Sequence, residues 1–326
     1  MRAVTQVSPA CRIADIAPTS SIHLTTLPPW AEPWLFVSVG WTRWRFSMWV
    51  SLTVVTVPQS DASDIGLVVP QAASPTVSTT DDVTKRMTET AVIAGVGAGL
   101  GSAVARRFAE GGAAVGLFAR SGDYIEDVAA ELEASTPGDA LAVPTDLTDA
   151  DAVADGFEAV RERFGPVDTL AVTAFASGVD GGALLDSDEA ALAAAWDTRV
   201  LGSFRCAKAA AADMRRTGGG TVLLVNSGAS RRSSSSLPTA TARHALRGMA
   251  RSMSADPELG AAGVQAVHVV VDGWIDKPGL GAEHPDHDRW MDPDEIAERL
   301  YRLAEDPETV HAGEIDLRHP RDELSF

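Results

Sequence analysis

The chain has 326 residues, 45% hydrophobic and 22% charged, with 28 Gly, 18 Pro and 2 Cys, which excludes a collagen, a disulfide scaffold and a wholly disordered protein. Its formal net charge is −18, and clusters such as Asp292-Pro-Asp-Glu295 and Glu305-Asp-Pro-Glu308 are the reverse of the basic stripe that nucleic acid requires. The charge is laid out unevenly, because residues 1–86 hold six basic and six acidic side chains and residues 87–326 hold 21 and 39.

The first 86 residues also hold five of the eight Trp and eight of the 18 Pro but two of the 28 Gly. No sustained amphipathic period runs through them. The apolar run Met48–Val57 is shorter than the roughly 20 residues of a membrane helix, and Arg43 and Arg45 lie far from the first residue, where a signal peptide carries its charge. Membrane attachment is therefore disfavoured. Residues 1–86 are expected to be a leader, disordered or outside the native protein, with the domain opening at Met87 and covering 87–326. Cys206 stands alone in that domain, so no disulfide forms within it and a reducing cytoplasm is the default compartment. Two Lys against 19 Arg in the acidic domain suit a surface solvated at high salt.

From Thr88 onward, strand-like runs alternate with helical patterns. Strands are expected at 90–95, 113–119, 140–144, 168–173, 220–226, 264–271 and 313–317, and helices at 99–110, 123–134, 148–164, 187–216, 238–254 and 293–305. About seven strands in this alternation predict an α/β fold, a doubly wound parallel sheet with helices on both faces. The run Ser233–Ser236 reads as a loop, and Arg231 and Arg232 before it as an exposed loop face.

The first strand leads into Gly95-Val-Gly-Ala-Gly99-Leu100-Gly101 and then a helix. Glycines serve where the chain turns sharply and where backbone must approach a pyrophosphate, and the following helix N-terminus supplies donors to the anion. This strand–turn–helix context points to a dinucleotide. The second strand ends Ala119-Arg120-Ser121, with no acid to bind the adenosine ribose hydroxyls. Arg120 and Ser121 offer a cation and a hydroxyl to a 2′-phosphate, which favours NADP over NAD.

Gly95-xxx-Gly99-x-Gly101, together with Asp146-Leu147 after the third strand and Asp272-Gly273 after the sixth, resembles the short-chain dehydrogenase/reductase family. The closest likeness is to a divergent subgroup that lacks the usual active-site tyrosine. The resemblance spans 88–326 and implies a Rossmann fold, a nicotinamide cofactor held by Gly95, Gly99, Leu100, Gly101, Arg120, Ser121, Asp146, Leu147, Arg243, Asp272 and Gly273, and hydride transfer at a carbonyl or alcohol carbon. Of the family's Asn, Ser, Tyr and Lys, the matching positions here are Arg199, Ser227, Thr239 and Arg243. Three of the four are substituted. Arg243 keeps a charge that can hold ribose hydroxyls, whereas an aliphatic hydroxyl at Thr239 titrates far above the roughly 10 of a tyrosine and is no proton donor near neutral pH. The Asn-Asn-Ala-Gly after the fourth strand is replaced by Val172-Thr-Ala-Phe175, and the carboxamide-contacting threonine by Lys277.

His284 and His287 read as loop residues rather than a metal pair, and His244 as pointing away from Arg243. Trp274 and Trp290 flank a substrate lid. The Ala-rich helices from 187 and 238 match those that form a subunit interface in the family, implying a homodimer or homotetramer. Two functions compete: an NADP-dependent oxidoreductase acting on a small carbonyl or alcohol of unknown identity, and a non-catalytic NADP-binding sensor or regulator.

Overall fold

The computed structural model describes residues 20–25, 36–41, 89–174, 181–279, 284, 287–306 and 310–320. The chain divides into two units, Met1–Asp82 and Val83–Phe326. In the first, β1 (Ser20–Thr25) and β2 (Phe36–Trp41) pair antiparallel, with Ile22 opposite Val39. This pairing was not anticipated, because six-residue runs such as Phe36-Val-Ser-Val-Gly-Trp41 are too short to stand out by period. The remainder of the leader, including the run Met48–Val57 and Met87, lies outside the described residues.

The second unit contains a seven-stranded sheet in the order β5-β4-β3-β6-β7-β8-β9, with every neighbouring pair parallel. Its strands are β3 (Thr90–Ala94), β4 (Ala114–Ala119), β5 (Ala140–Pro144), β6 (Thr169–Val172), β7 (Gly220–Ser227), β8 (Val264–Val271) and β9 (Glu314–Leu317). Each lies within a residue or two of its expected place. Side chains alternate across the strands: Ala91, Ile93, Val115 and Leu117 pack on α1 (Leu100–Glu110), α2 (Gly122–Ser135) and α8 (Pro293–Ala304). Val92, Ala94, Leu170 and Val222 face the other way, onto α3 (Ala150–Phe164), α5 (Gly202–Thr217) and α6 (Leu237–Ser254). Both faces are covered, as a parallel sheet requires, and each fully buried Phe or Leu, such as Phe108, Phe157 or Leu223, contributes about 1.5–3 kcal/mol. The doubly wound α/β fold is thus the one observed.

Local chemistry sets the ends of the helices. Asp149 caps α3 by accepting from the N–H groups of Asp151 and Ala152, and Asp292 caps α8 ahead of Pro293, each supplying an orphan donor with a partner. Gly218, left-handed at φ 96°, closes α5. The expected single helix over 187–216 is instead α4 (Glu189–Trp196), a π-helical turn at Asp197–Leu201, and α5. A short α7 (Pro257–Ala261), capped by Asp256, was not foreseen.

The strand order reverses between β3 and β6. That switch point, at the carboxyl ends of the strands, is where open α/β sheets bind ligands.

Candidate active site

A cleft of about 1590 Å³ opens along that edge. The residues following the strands line it: the glycine loop after β3, Ala119–Ser121 after β4, Thr145–Leu147 after β5, Thr173 and Ala174 after β6, Ser227–Ala229 after β7, Asp272–Lys277 after β8 and Arg318 after β9. Strands lie about 4.8 Å apart, so Arg120 and Ser227, three strands from each other in the sheet order, mark opposite halves of the cleft.

In the first half the backbone does the shaping. Gly95 (φ 108°) and Gly99 (φ 122°) occupy conformations that L side chains rarely adopt. A Cβ on Gly95 would sit 2.4 Å from the Ala174 backbone, and one on Gly101 would lie 2.5 Å from the Gly95 carbonyl, whereas Gly97 faces open space. Thr173 Oγ1 donates to the Gly95 carbonyl at 3.0 Å and Ser102 Oγ to that of Gly97 at 2.8 Å, fixing the loop. Gly99 is the N-cap of α1 and supplies no side-chain cap, while Lys277 approaches it so closely that a Cβ on Gly99 would lie 3.3 Å from its own Cβ. Lys277 also lines the cleft, so an anion held at this helix end would have a lysine side chain rooted close by.

Ser121 is the N-cap of α2, and its hydroxyl makes no capping bond. Asp146 Oδ1 accepts from the N–H and Oγ1 of Thr148 at 2.9 and 2.8 Å. Those hydrogen bonds, helped by Arg120, hold its carboxyl below the usual range. Leu147 is buried, and its carbonyl accepts from Arg205 at 2.9 Å.

In the second half side chains dominate. Arg243, on α6, donates from Nη1 to Ser227 Oγ, which leaves the serine's own proton to be donated onward. Arg199 projects from the π-helical turn and is only 5% exposed, an irregularity that re-aims side chains within a helix. Burial, and then the neighbouring charge of Arg243, push its guanidinium down to about 10, so it stays a cation at neutral pH. Burial also lowers Arg243. Arg199, Ser227 and Arg243 all line the cleft, and Thr239 does not. Thr239 sits in the first turn of α6, where its N–H donates to Ser236 Oγ at 3.4 Å. Neither tyrosine lines the cleft: Tyr124 OH lies 2.7 Å from Ser102 Oγ, and Tyr301 packs under Arg107.

Behind these groups lies a chain of polar contacts. Asn226 Oδ1 accepts from Ser227 N at 2.9 Å, and its Nδ2 donates to the Arg243 carbonyl at 2.9 Å and faces His268 Nε2 at 3.1 Å. Because an amide nitrogen only donates, Nε2 accepts, and Nδ1–H of the buried His268 donates to Glu314 at 3.0 Å. His268 is therefore neutral, in keeping with burial holding its pKa down. Burial alone would raise Glu314, but hydrogen bonds from Arg247 and His268 prevail and hold it low.

Arg232 is exposed in its loop, as expected, and Arg231 is half-buried, but both are held in ion pairs. Arg232 pairs with Asp272 and Arg231 with Asp316, while Arg318 reaches Asp272 at 3.4 Å and Asp316 at 2.9 Å. Asp272 presses on Gly228 so closely that a Cβ there would overlap its carboxylate. Ser233–Ser235 line the cleft as well; their low-complexity pattern gave no sign of it. Gly273 and the stacked pair Trp274–Trp290, with ring centroids 5.6 Å apart, complete the wall beside His284, whose ring is 5.1 Å from that of Trp290. His287 lies 3.2 Å from Asp276. His244 is exposed and contacts the Ala240 carbonyl. Among the described residues no cluster of side chains could hold a metal ion, and no helix is long and apolar enough to cross a membrane. Phe175 and parts of the expected lid, residues 280–283 and 285–286, lie outside the described residues.

Residues 89–283 match the family model of the short chain dehydrogenases. An uncharacterized oxidoreductase of Staphylococcus aureus strain N315 is 27% identical over 241 residues, covering 70% of this chain and 96% of the relative. Among solved structures, an alcohol dehydrogenase from the archaeon Thermococcus sibiricus complexed with 5-hydroxy-NADP is 27% identical with a TM-score of 0.63, covering 73% of this chain and 100% of that one. The L-sorbose reductase of Gluconobacter frateurii complexed with NADPH and L-sorbose shares the fold at 21% identity and a TM-score of 0.65, covering 72% and 98%.

Proposed function

The chain belongs to the short-chain dehydrogenase family of oxidoreductases, and from that premise we propose that it is an NADP-dependent oxidoreductase of a small carbonyl or alcohol, working with a substituted catalytic set. The observation that carries this reading is the convergence of Ser227, Arg199 and Arg243 on the cleft that the glycine loop opens.

The cleft fits the cofactor. The positive-φ glycines, the uncapped α1 N-terminus and Lys277 suit a pyrophosphate. Arg120 and Ser121 suit a 2′-phosphate, and the NADP-type ligands of the two solved relatives support the same preference. Asp146 and Leu147 would flank the adenine, Arg243 would hold ribose hydroxyls, and Asp272-Gly273 would border the nicotinamide. When bound, the reduced cofactor supplies a hydride.

The chain's own residues bind and polarise the substrate. Ser227 donates a hydrogen bond to the substrate oxygen and keeps its proton, and the cations Arg199 and Arg243 stabilise the negative charge that develops there. A single such donor is typically worth about 2.7–4 kcal/mol. Thr239 takes no part, so the proton that completes reduction comes from water entering the open cleft.

The absence of a tyrosine from the described lining of the cleft favours the second reading, an NADP-binding sensor or regulator. Loss of NADPH absorbance over a panel of carbonyl compounds separates the two: turnover with any of them supports the enzyme, and binding without turnover supports the sensor. For quaternary structure we propose a homodimer or homotetramer built on α4 to α6, where Leu192, Trp196, Leu201 and Phe204 are partly exposed. The lone buried thiol of Cys206 suits a reducing cytoplasm.

A further inference from the structure

A line of polar side chains runs inward from the edge of the sheet to the cleft. Glu314 on β9 stands opposite His268 on β8 in the parallel register, and His268 stands opposite Leu224 on β7, two residues before Asn226. Alternation along the strands puts all three polar side chains on one face, the face on which α6 packs. Two successive turns of α6 are tied to the line. Arg247 donates to both carboxylate oxygens of Glu314 at 2.7 and 3.0 Å, and the carbonyl of Arg243 accepts from Asn226 at 2.9 Å.

Each member sets the next. Glu314, held charged by Arg247 and His268, only accepts, so His268 carries its proton on Nδ1 and turns a bare Nε2 toward Asn226 Nδ2 at 3.1 Å. That acceptor, the Arg243 carbonyl and the Ser227 N–H, which donates to Oδ1 at 2.9 Å, all require the same orientation of the Asn226 carboxamide. A proton on Nε2 would set donor against donor. The carboxamide would then lose His268, or turn over and lose Ser227 and Arg243, and no arrangement keeps all three contacts. Asn226, Ser227 and Arg243 line the cleft, whereas the fully buried His268 is not among its described lining.

Resting on the reading above for the roles of Ser227 and Arg243, we propose that His268 is a positioning residue of this site: neutral, it locks the Asn226 carboxamide and so holds Ser227 and Arg243 at the cleft, and its protonation releases them. The charged groups that face it are Glu314 from β9, Arg247 from α6 and Arg231 from the loop after β7. Burial opposes the imidazolium most strongly and the two arginines add to it, against the pull of Glu314. Release therefore comes below the ordinary histidine value of about 6.5.

The test tracks the full chain by nitrogen–proton NMR as the pH is lowered, in wild type, His268→Gln and His268→Leu, with thermal melts to confirm folding, beside kcat and KM for NADPH oxidation with ethyl acetoacetate as the probe. Glutamine can accept from Asn226 and donate to Glu314 as the imidazole does, but it does not titrate, and leucine does neither. In wild type the imidazole is expected as the Nδ1–H tautomer, and the Asn226 side-chain amide and the Ser227 amide are expected to shift as it titrates and to stay still in His268→Gln. At neutral pH, kcat is expected to be at least about tenfold lower in His268→Leu, with KM for NADPH moved by less than about threefold, and mostly restored in His268→Gln. An Nε2–H tautomer, Asn226 and Ser227 signals that do not follow His268, a folded His268→Leu with the kcat of wild type, or a folded His268→Gln as sensitive to acid as wild type would each overturn the proposal. If no carbonyl is reduced although NADPH binds, the oxidoreductase reading fails instead, and the NMR signals still decide whether His268 holds Ser227.

Discussion

The two halves of the cleft are built from different material. The half formed by the ends of β3, β4 and β5 is shaped by backbone: glycines at positive φ, an uncapped helix terminus, and a loop locked by Thr173 and Ser102. The half formed by the ends of β7, β8 and β9 is shaped by side chains, with Arg243 on Ser227, Asn226 behind both, and Asp272 clamped between Arg232 and Arg318. A site made of backbone leaves glycine few substitutes, whereas one made of side chains can exchange one donor for another and keep its shape. The glycine loop carries the pattern on which the family resemblance rests, while the positions that the resemblance matches to the family's Asn, Tyr and Lys hold Arg199, Thr239 and Arg243.

Substitutions can break that contrast. The largest effect is expected at Gly95→Ala, where the added Cβ meets the Ala174 backbone at 2.4 Å and φ is 108°. Backbone cannot step aside as a side chain can, so the loss should exceed about 3 kcal/mol and abolish NADPH binding. Thermal unfolding and a cofactor titration would check both. In the other half, Asn226→Ala removes the acceptor of Ser227 N and the donors to the Arg243 carbonyl and His268. The expected cost is about 1–3 kcal/mol of stability, with a larger fall in turnover than in NADPH affinity, read from denaturant melts and steady-state kinetics.

A pH scan sharpens the comparison further, because the buried titratable histidine lies on the side-chain half. His268 faces Glu314, Arg247 and Arg231, and its folded pKa is lowered, with burial the main cause. The unfolded chain therefore takes up a proton near the ordinary value of about 6.5 that the folded chain refuses. Stability should fall as the pH drops through that value, and protonated Nε2 would confront the Asn226 amide donor. Glu314, whose folded pKa is also lowered, adds its own loss only below the ordinary glutamate range. Melting temperature against pH should show the earlier decline in wild type and a flatter curve from pH 7 to 5 in His268→Gln.

What could be read from the sequence follows the same division. The strands, the glycine loop and the lack of an acid after β4 are local patterns, so they were legible. The clamp was not, because Arg232 and Asp272 are 40 residues apart and Arg231 and Asp316 are 85 apart. An arginine in a serine-rich loop looks solvated until its partner strand arrives. The π-helical turn that aims Arg199 was hidden in the same way, since the Ala-rich stretch around it carries a continuous helical propensity. Thr239, expected at the place of the family's tyrosine, is not among the described residues that line the cleft.

The smallest expected effect is also the most direct test of the central claim, that this is an NADP-dependent member of its family. Fluorescence titration of the full chain with NADPH and NADH, in wild type and Arg120→Ala, should show saturable binding with NADPH preferred, and the substitution should weaken NADPH by about tenfold while leaving NADH nearly unchanged. Equal affinity for the two cofactors in wild type, or no saturable binding of either, would contradict it.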